Sequence, residues 1–80
     1  MEPDGEVLAA LAAGPRVPVE IVDDVEAASG FPLAPGTLFG AIARLEAAGL
    51  VELVVRGRGG AQYRLTHAGR ERLRERGVRD

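Results

Sequence analysis

The sequence predicts a small, mainly α-helical domain that carries one β-hairpin between its third and fourth helices. Three observations predict it. Apolar residues recur at helical spacing over three successive stretches, each closed by a glycine. The period then drops to two: Val51, Leu53 and Val55 alternate with Glu52, Val54 and Arg56, as in a strand. Finally, the glycine-rich RGRGG at 56–60 and the run Gln62-Tyr63-Arg64-Leu65 supply a turn and a return strand, with a loop of about four residues.

Helix 1 is expected over residues 3–13, with Asp4 as N-cap, acids in the first turn and Gly14-Pro15 as the stop. Its run from Val7 to Ala13 is apolar throughout, which calls for burial on more than one side. Helix 2 is expected over 18–29, with Pro18 at its first position, Val22, Val25 and Ala28 or Ser29 at helical spacing with Ile21 beside them, and Gly30 as the stop. Phe31-Pro32-Leu33 makes an apolar turn. Helix 3 follows in PGTLFGAIARLEAAGL, residues 35–50, with Leu38, Ile42 and Leu45 on one side and Gly49 closing it. After the hairpin, Thr66 caps helix 4 over HAGRERLRER, whose one strong apolar residue is Leu73, and the tail GVRD is expected to fray. The order of helix, helix, helix, hairpin, helix is that of a winged helix-turn-helix, and residues 1–80 read as one such domain.

Composition narrows the function. The 80 residues include no cysteine and one histidine, which leaves neither a disulfide nor a zinc site. No cofactor motif is present. No apolar run approaches the roughly 18 residues of a membrane span, and no signal-peptide pattern opens the chain, so a cytoplasmic protein is expected. All ten basic residues are arginine, a usage suggesting a GC-rich, bacterial coding bias. The net charge of −2 is unevenly spread: residues 1–50 hold two arginines against eight acids, and residues 51–80 hold eight arginines against four. A local positive surface is therefore compatible with an acidic total.

The side of helix 3 away from its apolar residues holds Thr37, Gly40, Ala43, Arg44 and Ala47. In a helix-turn-helix this helix enters the DNA major groove. Small side chains let its backbone approach closely, Thr37 offers a hydroxyl, and Arg44 offers a fork suited to phosphate or guanine. Arg56 and Arg58 flank the glycine tip of the hairpin and Arg64 lies on its return strand, where a wing grips phosphates or the minor groove. A small-residue face also suits close packing of another helix, and the arginines also suit solvated surface charge.

The stretch PGTLFGAIARLEAAGLVE, followed by RGRGGAQYRLTHAGR, resembles the PadR-type winged-helix transcriptional regulators. Gly36, Thr37, Leu38, Arg44, Leu45, Glu46, Gly49, Leu50, Tyr63, Leu65, Thr66 and Gly69 match the family pattern, and the resemblance covers roughly residues 5–76. It implies a dimeric repressor that binds double-stranded operator DNA, with Thr37, Phe39, Arg44, Arg56, Arg58 and Arg64 at the interface, which Gly40 joins from the small-residue face of helix 3. Where the family usually has tyrosine, this chain has Phe39, which cannot donate a hydrogen bond. Gly40 stands where proline is frequent, and Ala34 where a capping serine is frequent. Family members continue past the wing into long dimerising helices. This sequence ends at residue 80, so a homodimer would rest on helix 1 and helix 4.

Other chemistry finds little footing. Ser29, Thr37, Thr66 and Tyr63 have no base beside them in sequence except the single imidazole of His67, which argues against nucleophilic catalysis and against an enzyme. His67 itself reads as exposed. Glu20, Asp23 and Asp24 share a face of helix 2, too few oxygen ligands for a hard cation; they read as a solvated acidic face or as a dock for the basic half of a partner copy. The alternative to DNA binding is a winged helix that contacts another protein through the small-residue face of helix 3.

Overall fold

In the computed structural model, residues 3–56 and 60–78 are described, with the side chains of residues 55, 56, 77 and 78 excepted. The chain runs through α1 (Asp4–Ala10), α2 (Pro18–Ser29), α3 (Pro35–Ala47), β1 (Val51–Arg56), β2 (Gly60–Leu65) and α4 (His67–Val78). It is a winged helix: α2, the turn at 30–34 and α3 form the helix-turn-helix, and the antiparallel β1–β2 hairpin is the wing.

Helix α1 differs most from expectation. Pro3, not Asp4, occupies the N-cap position, and no side chain caps the helix. Asp4 is instead the first helical residue, and its carboxylate is taken up by Arg44 of α3. The helix also stops at Ala10 rather than Ala13. Leu11 and Ala12 bond back to carbonyls three residues earlier (Leu11 N–H to Leu8 O, 3.1 Å; Ala12 N–H to Ala9 O, 3.1 Å), which tightens the last turn towards Gly14. That early exit swings Arg16 out to β2, where Arg16 and Tyr63 exchange two backbone hydrogen bonds of 3.0 and 2.8 Å. One residue thus covers the free edge of β2. The even run of apolar residues hid this bridge.

Pro18 opens α2 as its fixed φ favours. Valine at the N-cap has no acceptor, so only half of a capping box forms: Glu20 Oε1 accepts from the Val17 N–H at 3.1 Å. Gly30 ends α2 at φ +80°. Across the next turn, the Leu33 N–H donates to Glu26 Oε2 at 2.6 Å, tying the far end of the turn back to α2.

The end of α3 is a Schellman motif. Gly49 sits at φ +76°, its N–H donates to Glu46 O at 2.9 Å, and the Leu50 N–H donates to Leu45 O at 2.9 Å. Leu45 and Leu50 are both buried, the apolar contact that accompanies this cap. The wing pairs Val51 with Leu65 through to Arg56 with Gly60, so β2 starts two residues before Gln62 and the connection is residues 57–59, which lie outside the described residues. Helix α4 continues through Gly77 to Val78, past the point where fraying was expected.

The core is one cluster. Val7, Leu8 and Leu11, then Ile21 and Val25, then Leu38, Ala41, Ile42 and Leu45, then Leu50, Val51 and Leu65 are all buried, and Leu33, Tyr63 and Leu73 pack partly against them. Helix α1 touches α2, α3 and α4, which explains its apolar run, although Ala9, Ala12 and Ala13 stay exposed. Among the described residues of the hairpin, Val51 and Leu65 are buried in the core and Tyr63 packs partly against it, while Leu53 is 45% exposed.

Candidate nucleic-acid interface

At 3.6 residues per turn, the buried side of α3 (Leu38, Ala41, Ile42, Leu45) sets the opposite ridge as Gly36, Gly40, Ala43 and Ala47. Nothing on that ridge is larger than a methyl group. Thr37 and Arg44 lie together on one flank of the ridge, both exposed. Phe39 lies on the other flank, 48% exposed, beside Glu46, an acid that the reading of this face left out. Gly40 is half-buried because Arg44 folds back across it: a Cβ on Gly40 would lie 3.6 Å from Arg44 Nη1. Thr37, Gly40 and Arg44 therefore form one patch, with Phe39 set apart from it.

Arg44 is engaged by Asp4. Its Nη2 donates to Asp4 Oδ1 at 2.7 Å and its Nε to Oδ2 at 3.1 Å, a two-point grip by residues forty positions apart. The hydrogen bond from Arg44, with its charge, holds the Asp4 carboxyl below the usual carboxylate range, against an opposing effect of desolvation. The sequence carried a faint signal of this contact, since acids crowd the first half of the chain and Arg44 is one of two arginines there.

On the wing, Arg64 stands directly across from Glu52 in the strand register, and Arg64 Nε donates to Glu52 Oε2 at 2.6 Å. The register alone would have found this pair. The Arg56 backbone pairs with Gly60; its side chain and all of Arg58 lie outside the described residues. Two arginines of α4 make a different pattern, pairing three residues away within the helix: Arg74 with Glu71 at 2.8 Å and Arg72 with Glu75 at 3.9 Å. Arg16 lies 3.3 Å from Asp24 of α2. His67 is exposed, 3.8 Å from Glu71.

Thr66 holds the end of α3, the start of the wing and α4 together. Thr66 Oγ1 donates to Gly49 O at 2.6 Å and accepts from the Gly69 N–H at 3.0 Å, while the Thr66 N–H donates to Leu50 O at 3.0 Å. This is the helix cap that the sequence predicted, with a second partner at the end of α3.

The sequence model of the transcriptional regulator PadR-like family matches residues 7–75. The chain belongs to the PadR-like family of transcriptional regulators. Among solved structures, a PadR family transcription regulator from hypervirulent Clostridium difficile is similar with a TM-score of 0.83 and 26% identity, over 95% of this chain and 83% of that one. A transcriptional regulator from Clostridium thermocellum shares the fold with a TM-score of 0.82 at 22% identity, over 95% of this chain and 79% of that one. In sequence, the PadR-like chain is 50% identical over 68 residues to a 37.1 kDa protein in transposon TN4556 of Streptomyces fradiae. The match takes in 84% of this chain and 19% of that protein, so the PadR-like chain spans about a fifth of the curated relative it matches. Among the described residues, no helix of this PadR-like chain is long and apolar enough to cross a membrane.

Proposed function

We propose that this PadR-like regulator binds double-stranded DNA, with α3 in the major groove and the wing on the adjoining backbone, and represses by occupying a promoter. The observation that carries the reading is the bare ridge Gly36, Gly40, Ala43 and Ala47, exposed or half-exposed on the recognition helix of a winged helix. Thr37, Gly40 and Arg44 form the patch nearest the bases, Phe39 adds apolar contact from the other flank, and Arg56, Arg58 and Arg64 supply the phosphate grip.

The test is binding to random duplex DNA over a salt series, for the native chain and an Arg56/Arg58/Arg64→Ala variant. Phosphate contact gives a steep fall of log K with log salt, by about 0.9 for each neutralised phosphate, and the variant loses part of that slope. Absence of binding at low salt overturns the reading. It would favour instead a protein-contact role for the same ridge, a role that the exposed Phe39 and Phe31 also suit.

We further propose a homodimer through α1 and α4. The groove between α1 and α2 is lined by Ala9, Ala10, Ala13, Ala27 and Ala28, so a partner helix can approach closely; Glu6 at its side suits an arginine of a partner's α4, while Asp24 there already pairs with Arg16. Light scattering that reports twice the chain mass supports this; a monomer at high protein concentration contradicts it.

A further inference from the structure

Two arginines of the α3–wing surface are each held by a carboxylate from a neighbouring element. We propose that Asp4 and Glu52 are restraining residues: each occupies the arginine donors that a DNA phosphate would use, and together they weaken binding to non-specific duplex. The proposal rests on the DNA-binding reading and goes beyond it by assigning a role to two acids that make no favourable contact with DNA themselves.

The geometry supports displacement rather than permanent burial. Asp4 engages Arg44 through Nε and Nη2, the same fork edge that grips a phosphate or a guanine. The side chains remain partly open to solvent, 44% for Arg44 and 31% for Asp4. Glu52 holds Arg64 through Nε, with the two side chains 48% and 47% exposed. In both pairs the carboxylate comes from a different element than its arginine, α1 against α3 and β1 against β2, so each acid is fixed next to the candidate interface by the fold. On α4, by contrast, the pairs Arg74–Glu71 and Arg72–Glu75 are local to one helix turn.

The magnitude is modest and measurable. An exposed ion pair of this kind is worth little in water, so releasing one arginine raises affinity for phosphate by about two- to fivefold. An arginine relieved of this carboxylate also turns more readily to a phosphate and releases a counterion there, so the salt dependence steepens. Non-specific binding depends almost wholly on this electrostatic component, so the restraint acts on it directly; where Arg44 meets a base edge, Asp4 competes with that contact as well.

The experiment measures fluorescence anisotropy of a labelled random duplex with the native chain, Asp4→Asn, Glu52→Gln and the double variant, from about 50 to about 200 mM salt. Thermal melts confirm that each variant is folded, and Glu52→Gln on the exposed hairpin serves if Asp4→Asn is not. Each single variant is expected to bind about two- to fivefold tighter and the double about tenfold, with a steeper salt slope. Asp4→Asn placed on Arg44→Ala should give no gain, because the effect acts through Arg44. If the native chain binds and the variants bind no tighter, the restraint is wrong while DNA binding stands. A gain that persists in the Arg44→Ala background also overturns it, as a general charge effect. If neither native chain nor variants bind at low salt, the DNA-binding reading falls, and this inference with it.

Discussion

The Thr66 hydroxyl donates a 2.6 Å hydrogen bond to the carbonyl oxygen of Gly49, joining the first turn of α4 to the residue that ends α3. The same oxygen accepts from the Gly69 N–H, so one side chain satisfies an orphan donor of α4 and a carbonyl beyond α3. Thr66→Ala removes both bonds and is expected to cost about 1–2 kcal/mol in urea denaturation. Thr66→Ser keeps the oxygen and should recover most of that loss.

Gly69 and Gly40 respond to alanine in opposite directions. A Cβ at Gly69 runs into the Leu50 carbonyl and meets Leu65 Cδ2 at 3.3 Å. Backbone cannot step aside, so Gly69→Ala is expected to destabilise by about 1–3 kcal/mol. At Gly40 an added Cβ would meet the flexible end of Arg44 at 3.6 Å, and the helix gains about 1 kcal/mol from alanine. Gly40→Ala should therefore raise the melting temperature while reducing DNA affinity, because the methyl thickens the bare ridge. A rise in both would place Gly40 outside the interface.

Acid should weaken the junction of α1 and α3. The Asp4 carboxyl has its pKa lowered in the folded state by the hydrogen bond from Arg44. A group depressed on folding stabilises the protein fully above its unfolded value and loses that contribution as pH falls through the folded value. The native chain should therefore lose stability relative to Asp4→Asn as pH drops from neutral to below about 4. At neutral pH the difference should be under about 1 kcal/mol, since the pair is partly solvated. Parallel melts of both proteins across this range check it; a constant difference contradicts the assignment.

Phe39 is exposed enough to separate stability from binding. Phe39→Ala should change stability by less than about 1 kcal/mol, because its ring leaves the core cluster untouched. A fall in DNA affinity with an unchanged melt places Phe39 at the interface. An unchanged affinity confines the contact to the Thr37–Gly40–Arg44 flank.

Periodicity carried most of the fold. The spacing of Leu38, Ile42 and Leu45 marked the buried side of α3, Pro18 and Gly30 bounded α2, and Thr66 marked the start of α4. These signals are local, so a single stretch of chain contains them. What escaped was made by contacts between distant segments: the Arg16–Tyr63 bridge, the early end of α1 that permits it, and the capture of Arg44 by Asp4. Asp4 illustrates the limit well. As an acid just before an apolar run it reads as a helix cap, and only the packing of α1 on α3 reveals the stronger competing partner. The candidate interface was legible as a list of residues. Its division into a Thr37–Gly40–Arg44 patch and a separate Phe39 flank required the helix to be placed.

The central claim is that α3 and the wing form one DNA-facing surface, and amide chemical-shift mapping tests it most directly. Titrating the isotope-labelled chain with a short random duplex at low salt should shift the amides of Thr37, Phe39, Gly40 and Arg44 together with those of the wing around Gly60 and Arg64, leaving α2 positions such as Asp23 and Ala27 in place. Shifts concentrated on α1 and α2, with α3 silent, would contradict the account.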